Sequence, residues 1–277
     1  MAAATTLGIL GGGAQSTAHV LVMMCNSEIT SREVQKVFEG QPALAARVLR
    51  VANSPYYGQA RSVTTVSRAI TILGLNAVRG IAAAACMERA VVSVGAAGPV
   101  NTDALLMHSL ATAVAAEVLA ALRFPELVSE AFIAGLLHNL GVAVQLRVDP
   151  AGVESMVQAL NVDAGRGIRS LEADHSALFH EECVAVIFEV WQLPDMLIDA
   201  VRHHHEPSNA PSKHRDLAAI IHVGSHLART CGHTFSLEPA TCEGIAERCE
   251  AWRLSPDDLS QAIPAIQDRI QQIRRVF

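Results

Sequence analysis

Aromatic side chains are scarce in this 277-residue chain, at 4%, and charged ones few, at 17%, whereas 51% of residues are apolar and alanine recurs throughout. With little bulk to fill a sandwich of strands and many small side chains, the composition favours helices packed at close range. Strand-like alternation is absent beyond very short pieces, and neither a repeat nor a low-complexity segment is found. The six cysteines, Cys25, Cys86, Cys183, Cys231, Cys242 and Cys249, form no C-x-x-C pair. That spacing argues against a disulfide scaffold and fits reduced thiols in a cytoplasmic protein. Basic residues form no stripe, Arg274-Arg275 being the only adjacent pair in a chain of net charge −6, so nucleic acid is not an expected partner. The first 27 residues lack charge, but no basic segment leads them, and Gly11-Gly12-Gly13, Gln15, Ser16 and His19 interrupt any membrane-length apolar span. No membrane association is expected.

What is present is helix punctuation. A loose amino end over 1–14 leads into a helix near 16–25. Thr30 and Glu33 have the spacing of a capping box, Pro42 suits a first helical position, and "NSPYYG" at 53–58 reads as a turn. Val66, Ala69, Ile70 and Leu73 make a stripe ended by Gly74, and Asn76 is placed to cap the helix after it. The first 90 residues therefore predict a bundle of about five short helices. The run "SVGAAGPVNT" at 93–102 is the best internal boundary. Beyond it, helices are predicted over 103–122, 127–146, 182–191, 194–205 and 216–230, and Ser255-Pro256-Asp257-Asp258 opens a last one. Its stripe of Ile263, Ile266, Ile270 and Ile273 either folds back on the domain or serves a homodimer.

The histidines carry the chemical interest. On a helix, His138 of "AGLLHNLG" shares a face with Ala131, Ala134, Gly135 and Gly141, and His108 one with Ala104, Ala111, Thr112 and Ala115, so both face narrow crevices. In "RHHHEP", His204 is in phase with Leu197, Ala200 and Val201, and His205 is the next inward candidate; His203 stands four residues after Asp199 and suits a surface pair. With His175 of "ADHS", four or five histidines on separate helices can converge. Each alone is more simply read as an ordinary hydrogen-bonded residue.

Seven blocks, in order, resemble the HDOD domain: "QPALAARVLRVANSPYYG" (41–58), "AITILGLNAVRGI" (69–81), "HSLATAVAAEVLA" (108–120), "EAFIAGLLHNLG" (130–141), "DHSALF" (174–179), "VWQLPDMLIDAVRHHHEP" (190–207) and "LAAIIHVGSHLA" (217–228). The resemblance implies an all-α protein with an HDOD domain over 15–230, comprising an amino helical lobe (15–92) and an HD-like lobe (102–230), followed by a helical tail over 231–277. It also implies kinship with the HD metal-dependent phosphohydrolases, within a family of bacterial signalling modules regarded as non-catalytic. His108 matches the first histidine of the hydrolase ligand set and His138 the histidine of its doublet.

The aspartate of that doublet is replaced by Asn139, and the later aspartate by Ser225. An amide or hydroxyl oxygen is a poor substitute for a carboxylate towards hard divalent ions. The expectation is therefore a non-enzymatic regulatory protein with a vestigial pocket of His108, His138, Asn139, His175, His204, His205 and Ser225. No cofactor is expected, although the histidines alone suit one transition metal. Another signalling protein is the expected partner. In the turn motif of Asn53, Ser54, Tyr57 and Gly58, a structural role outweighs ligand contact. Two alternatives stay open: an HD-type phosphohydrolase of nucleotides or cyclic dinucleotides, and a sensor of a nucleotide messenger.

Overall fold

The computed structural model describes residues 20, 23–24, 29–92, 99–238 and 255–274, and every regular element among them is helical. The predicted amino end and the glycine-rich stretch at 93–98 lie outside the described residues. The amino-terminal helices are α1 (Ser31–Glu39), α2 (Pro42–Ala52), α3 (Val66–Leu73) and α4 (Leu75–Val92). α1 opens on the predicted capping box: Thr30 N–H donates to Glu33 Oε2 at 2.8 Å and Glu33 N–H to Thr30 Oγ1 at 3.3 Å. α3 ends at Gly74, whose φ of 83° few other residues adopt.

After α2 the chain turns through a 3₁₀ segment, Pro55–Tyr57, closed by Gly58 at φ 53°. Asn53 secures this excursion. Its side chain accepts the Val63 N–H at 2.7 Å and donates to the carbonyls of Val63 and Leu49, both at 2.8 Å. Tyr56 is left 59% exposed at the tip, with its ring edge-on to that of Tyr57.

The remaining helices are α5 (Thr102–Arg123), α6 (Val128–Leu137), α7 (Leu140–Val148), α8 (Pro150–Val162), α9 (Ile168–His175), α10 (His180–Val190), α11 (Asp195–Arg202), α12 (Arg215–Thr230) and α13 (Pro256–Arg274). α5 is the axis of this part, flanked by α6, α12 and α13. Small residues set the spacing. A Cβ at Gly135 of α6 would stand 3.0 Å from Ala113 Cα, and one at Gly224 of α12 would stand 3.1 Å from Ala116 N. One continuous apolar core joins the amino-terminal helices to this part, running from Val20 to Ile270.

The single helix expected over 127–146 is instead two, broken at His138 and Asn139. The Gly135 carbonyl, which an unbroken helix offers to Asn139 N–H, is engaged by His138 Nδ1 at 2.7 Å. α7 then presses Gly141 so closely on the start of α10 that a Cβ there would stand 1.9 Å from the His180 carbonyl oxygen. No side chain fits at position 141. By length and composition α5 and the 125–148 segment could each cross a membrane, but 67% and 72% of their most apolar windows are buried inside the domain.

Of the two roles open to the tail, this structure shows the first: α13 folds back on α5, burying Leu259, Ala262, Ile266 and Ile270. Ser255 and Asp258 form its predicted cap, with Asp258 N–H donating to Ser255 Oγ at 3.2 Å. Asp258 also accepts from Arg123 at 3.0 Å, and Arg269 meets Glu117 of α5 at 2.8 Å. Burial pushes the Glu117 carboxyl up, and the Arg269 guanidinium partly offsets this. A carboxyl raised by folding subtracts stability progressively as pH rises from its unfolded to its folded value and fully above that, and loss of the guanidinium enlarges the penalty. Arg269→Ala is therefore expected to cost about 1–2 kcal/mol at pH 7 and visibly less at pH 5, read from urea unfolding at the two pH values.

Candidate functional site

Five imidazoles converge where α5, α6, α10 and the chain after α11 meet. His108 comes from α5, His138 from the end of α6, His180 from the first turn of α10, and His204 and His205 from the turn after α11. Neighbouring ring centroids lie 5.4 Å apart for His108–His138, 5.0 Å for His138–His204, 5.2 Å for His180–His204, 5.0 Å for His180–His205 and 4.2 Å for His204–His205. All are buried except His205, which is half-buried.

The rings are oriented by their other nitrogens. Nδ1 of His138 is 2.7 Å from the Gly135 carbonyl, Nδ1 of His204 2.7 Å from that of Val201, and Nδ1 of His108 2.9 Å from that of His233. A carbonyl only accepts, so each of these Nδ1 atoms carries the proton. His180 is held by a carboxylate instead. Glu172 Oε1 receives the His180 ring at 2.7 Å, the His180 backbone N–H at 2.9 Å and the Gln145 amide at 2.6 Å. Nε2 is thereby left to face the cluster, as in metal sites whose ligating histidines donate Nδ1–H to a second layer.

Electrostatics separate the rings. Burial first, and then the neighbouring imidazoles, hold His138, His204 and His205 well below the ordinary histidine range. Burial also acts against protonation of His180, but the Glu172 charge and hydrogen bond prevail and hold it above that range. Glu172 is likewise opposed by burial and held low by His180.

Asn139 and Ser225 both lie buried at this cluster, Ser225 Oγ 3.4 Å from His108 Nε2. Nε2 of His138 and Nδ2 of Asn139 have no hydrogen-bond partner. His175, expected in the pocket, instead ends α9 half-buried, away from the converging rings. His180 occupies the corner in its stead. A signal for it existed: His180 precedes Val184 and Ile187 by four and seven residues, the buried face of α10. His203 does not pair with Asp199, whose carboxylate is 2.6 Å from His214 Nδ1.

The pocket also has carboxylates outside the family's ligand positions. Besides Glu172, Glu238 reaches the pocket from the chain after α12, with Oε2 3.2 Å from His108 Nδ1 and Oε1 3.4 Å from Ser225 Oγ. No periodic pattern in the sequence marks it. Phe235 of the same stretch covers His108 at a centroid distance of 5.3 Å.

An all-helical domain with an HD-like core around buried histidines is the class that this fold and pocket define. The HDOD domain family matches residues 14–207, and the chain belongs to that family. An uncharacterized protein of Treponema pallidum (strain Nichols) is 26% identical over 204 residues, covering 71% of this chain and 37% of that protein. The chain thus spans little more than a third of that relative's length. A Marinobacter aquaeolei VT8 protein provisionally assigned to signal transduction is similar with TM-score 0.77 at 24% identity, over 94% of this chain and 57% of that one. A Shewanella amazonensis SB2B protein provisionally named a phosphohydrolase is similar with TM-score 0.72 at 20% identity, over 98% of both chains. At these identities the likeness to the solved structures is one of fold.

The donors do not fit a pair of hard cations. Where the hydrolase pattern places bridging carboxylates, an amide and a hydroxyl stand at 139 and 225. They do fit one ion that prefers imidazole. Glu172 is central to the arrangement: Glu172→Ala leaves the His180 ring and backbone donors buried without an acceptor and leaves the Gln145 amide only the Leu178 carbonyl. It is expected to cost about 3–5 kcal/mol in urea unfolding.

Proposed function

We propose that this HDOD protein is a bacterial regulatory module that works in the cytoplasm by binding another signalling protein, and that it does not hydrolyse phosphate esters. The observation that carries this reading is the neutral pair Asn139 and Ser225 in a histidine pocket of hydrolase ancestry. Two-metal hydrolysis needs anionic ligands to hold two cations close together and to acidify the attacking water. The burial of His108, His138, His180 and His204 supports the same reading, since a catalytic centre keeps a ligand position open to substrate. Kinship with a protein provisionally assigned to signal transduction agrees with it.

Two outcomes test the proposal. Purified protein supplied in turn with Mn²⁺, Fe²⁺ and Ni²⁺ is expected to cleave neither bis(p-nitrophenyl) phosphate nor a cyclic dinucleotide faster than its His138→Ala variant. Metal-dependent turnover that His138→Ala abolishes would refute the regulatory reading. Contact with a partner is best sought at Tyr56, the exposed aromatic on the family turn, because tyrosine is enriched among residues that dominate interfaces. A photo-crosslinking residue placed there is expected to yield one discrete protein adduct in the native cell, absent when the same residue replaces Lys213. Equal labelling from both positions would count against a specific docking turn.

A further inference from the structure

The three histidines at the α10–α11 corner turn ring nitrogens towards one another. His204 donates Nδ1–H to the Val201 carbonyl and presents a bare Nε2 inward, while His180, whose Nδ1–H goes to Glu172, offers its Nε2 as a ligand once the second ring proton has left. Those two Nε2 atoms stand 3.3 Å apart, and His205 Nε2 stands 3.1 Å from His180 Nε2. One ligand nitrogen from each of the three lies within 4.8 Å of the others. Ring nitrogens facing each other at that range need a proton or a metal ion between them.

The spacing suits a metal. Two nitrogens bound to tetrahedral Zn²⁺ at about 2.0–2.1 Å lie about 3.3 Å apart, the distance between His180 and His204, while the 3.1 Å between His180 and His205 also lies within hydrogen-bond range. The second layer is in place as well, with Glu172 behind His180 and backbone carbonyls behind His204 and His138. His138, with its ring 5.0 Å from that of His204 and its Nε2 unpartnered, flanks the same corner as a further neutral donor.

We infer that His180, His204 and His205 bind one late first-row transition-metal ion, Zn²⁺ or Ni²⁺ class, through Nε2. The ion ties the start of α10 to the chain after α11. An all-imidazole set is selective in kind: it suits Zn²⁺, Ni²⁺ or Co²⁺ and holds Mg²⁺ or Mn²⁺ weakly. The half-burial of His205 leaves the ion a route in. The inference stands apart from the regulatory reading, because a single ion in a closed donor set tightens the fold whether or not the protein turns anything over.

The test uses the full chain, stripped with a chelator and titrated with Zn²⁺, Ni²⁺, Co²⁺ and Mg²⁺. One Zn²⁺ or Ni²⁺ per chain is expected by elemental analysis. The melting temperature is expected to rise by about 5 °C or more at a hundredfold excess over Kd, and Co²⁺ to give the visible absorption of a nitrogen-rich site. Mg²⁺ is expected to do none of this. His205→Ala, at a half-buried position, is expected to keep the helical circular dichroism and lose the metal, and Glu172→Gln to weaken binding about 10–100-fold. Less than a tenth of an ion per chain with unchanged melting, two ions per chain, or undiminished binding in a folded His205→Ala variant would each overturn the inference. Turnover is read separately, so its appearance would overturn the regulatory reading while leaving this one standing.

Discussion

The structure depends on the distance at which α5 can be approached. Ala113 and Ala116 on its faces meet Gly135 and Gly224 so closely that one more carbon on either glycine would stand only 3.0–3.1 Å from the α5 backbone. That proximity puts His108 and His138 side by side and removes them from water. A buried polar group without a partner is costly, so each ring has to be tethered by one nitrogen while the other turns inward. The same tightness acts where Gly141 meets the His180 carbonyl, which fixes the start of α10 and hence the third ring. Packing comes first here, and the imidazole cluster follows from it.

Charge then decides what the cluster can do. A pair of hard cations needs anionic oxygen between them, and the chain offers an amide and a hydroxyl at those places. The carboxylates that do reach the pocket stand behind the rings: Glu172 at His180 Nδ1, and Glu238 beside His108 Nδ1. A carboxylate placed as Glu172 is makes its imidazole a better ligand and holds it still. The pocket is thereby a buried polar centre that ties helices together.

Much of the fold was legible because its signals are local. Thr30 with Glu33 and Ser255 with Asp258 are caps written in four consecutive residues, and Gly74 ends α3 where a positive φ is needed. The break at His138 and Asn139 was hidden, since the apolar pattern runs through it and the cause is a side chain taking a backbone carbonyl. His175 was the more conspicuous histidine, yet α9 ends with it outside the cluster, while His180 at the next helix start is inside. Glu238 had no signal at all, because a residue in an irregular stretch is aimed by the whole path of the chain before it.

The sequence by itself determined the helical class, the caps and breaks of most helices, the family, and the presence of an amide at 139 and a hydroxyl at 225, because these reside in residue identity and short-range periodicity. Only the tertiary structure decided which histidines meet, which carboxylates stand behind them, and that Ile266 and Ile270 of the tail are buried as α13 packs on α5. Those outcomes depend on distances between segments far apart in the chain, set by how closely small side chains let the helices approach.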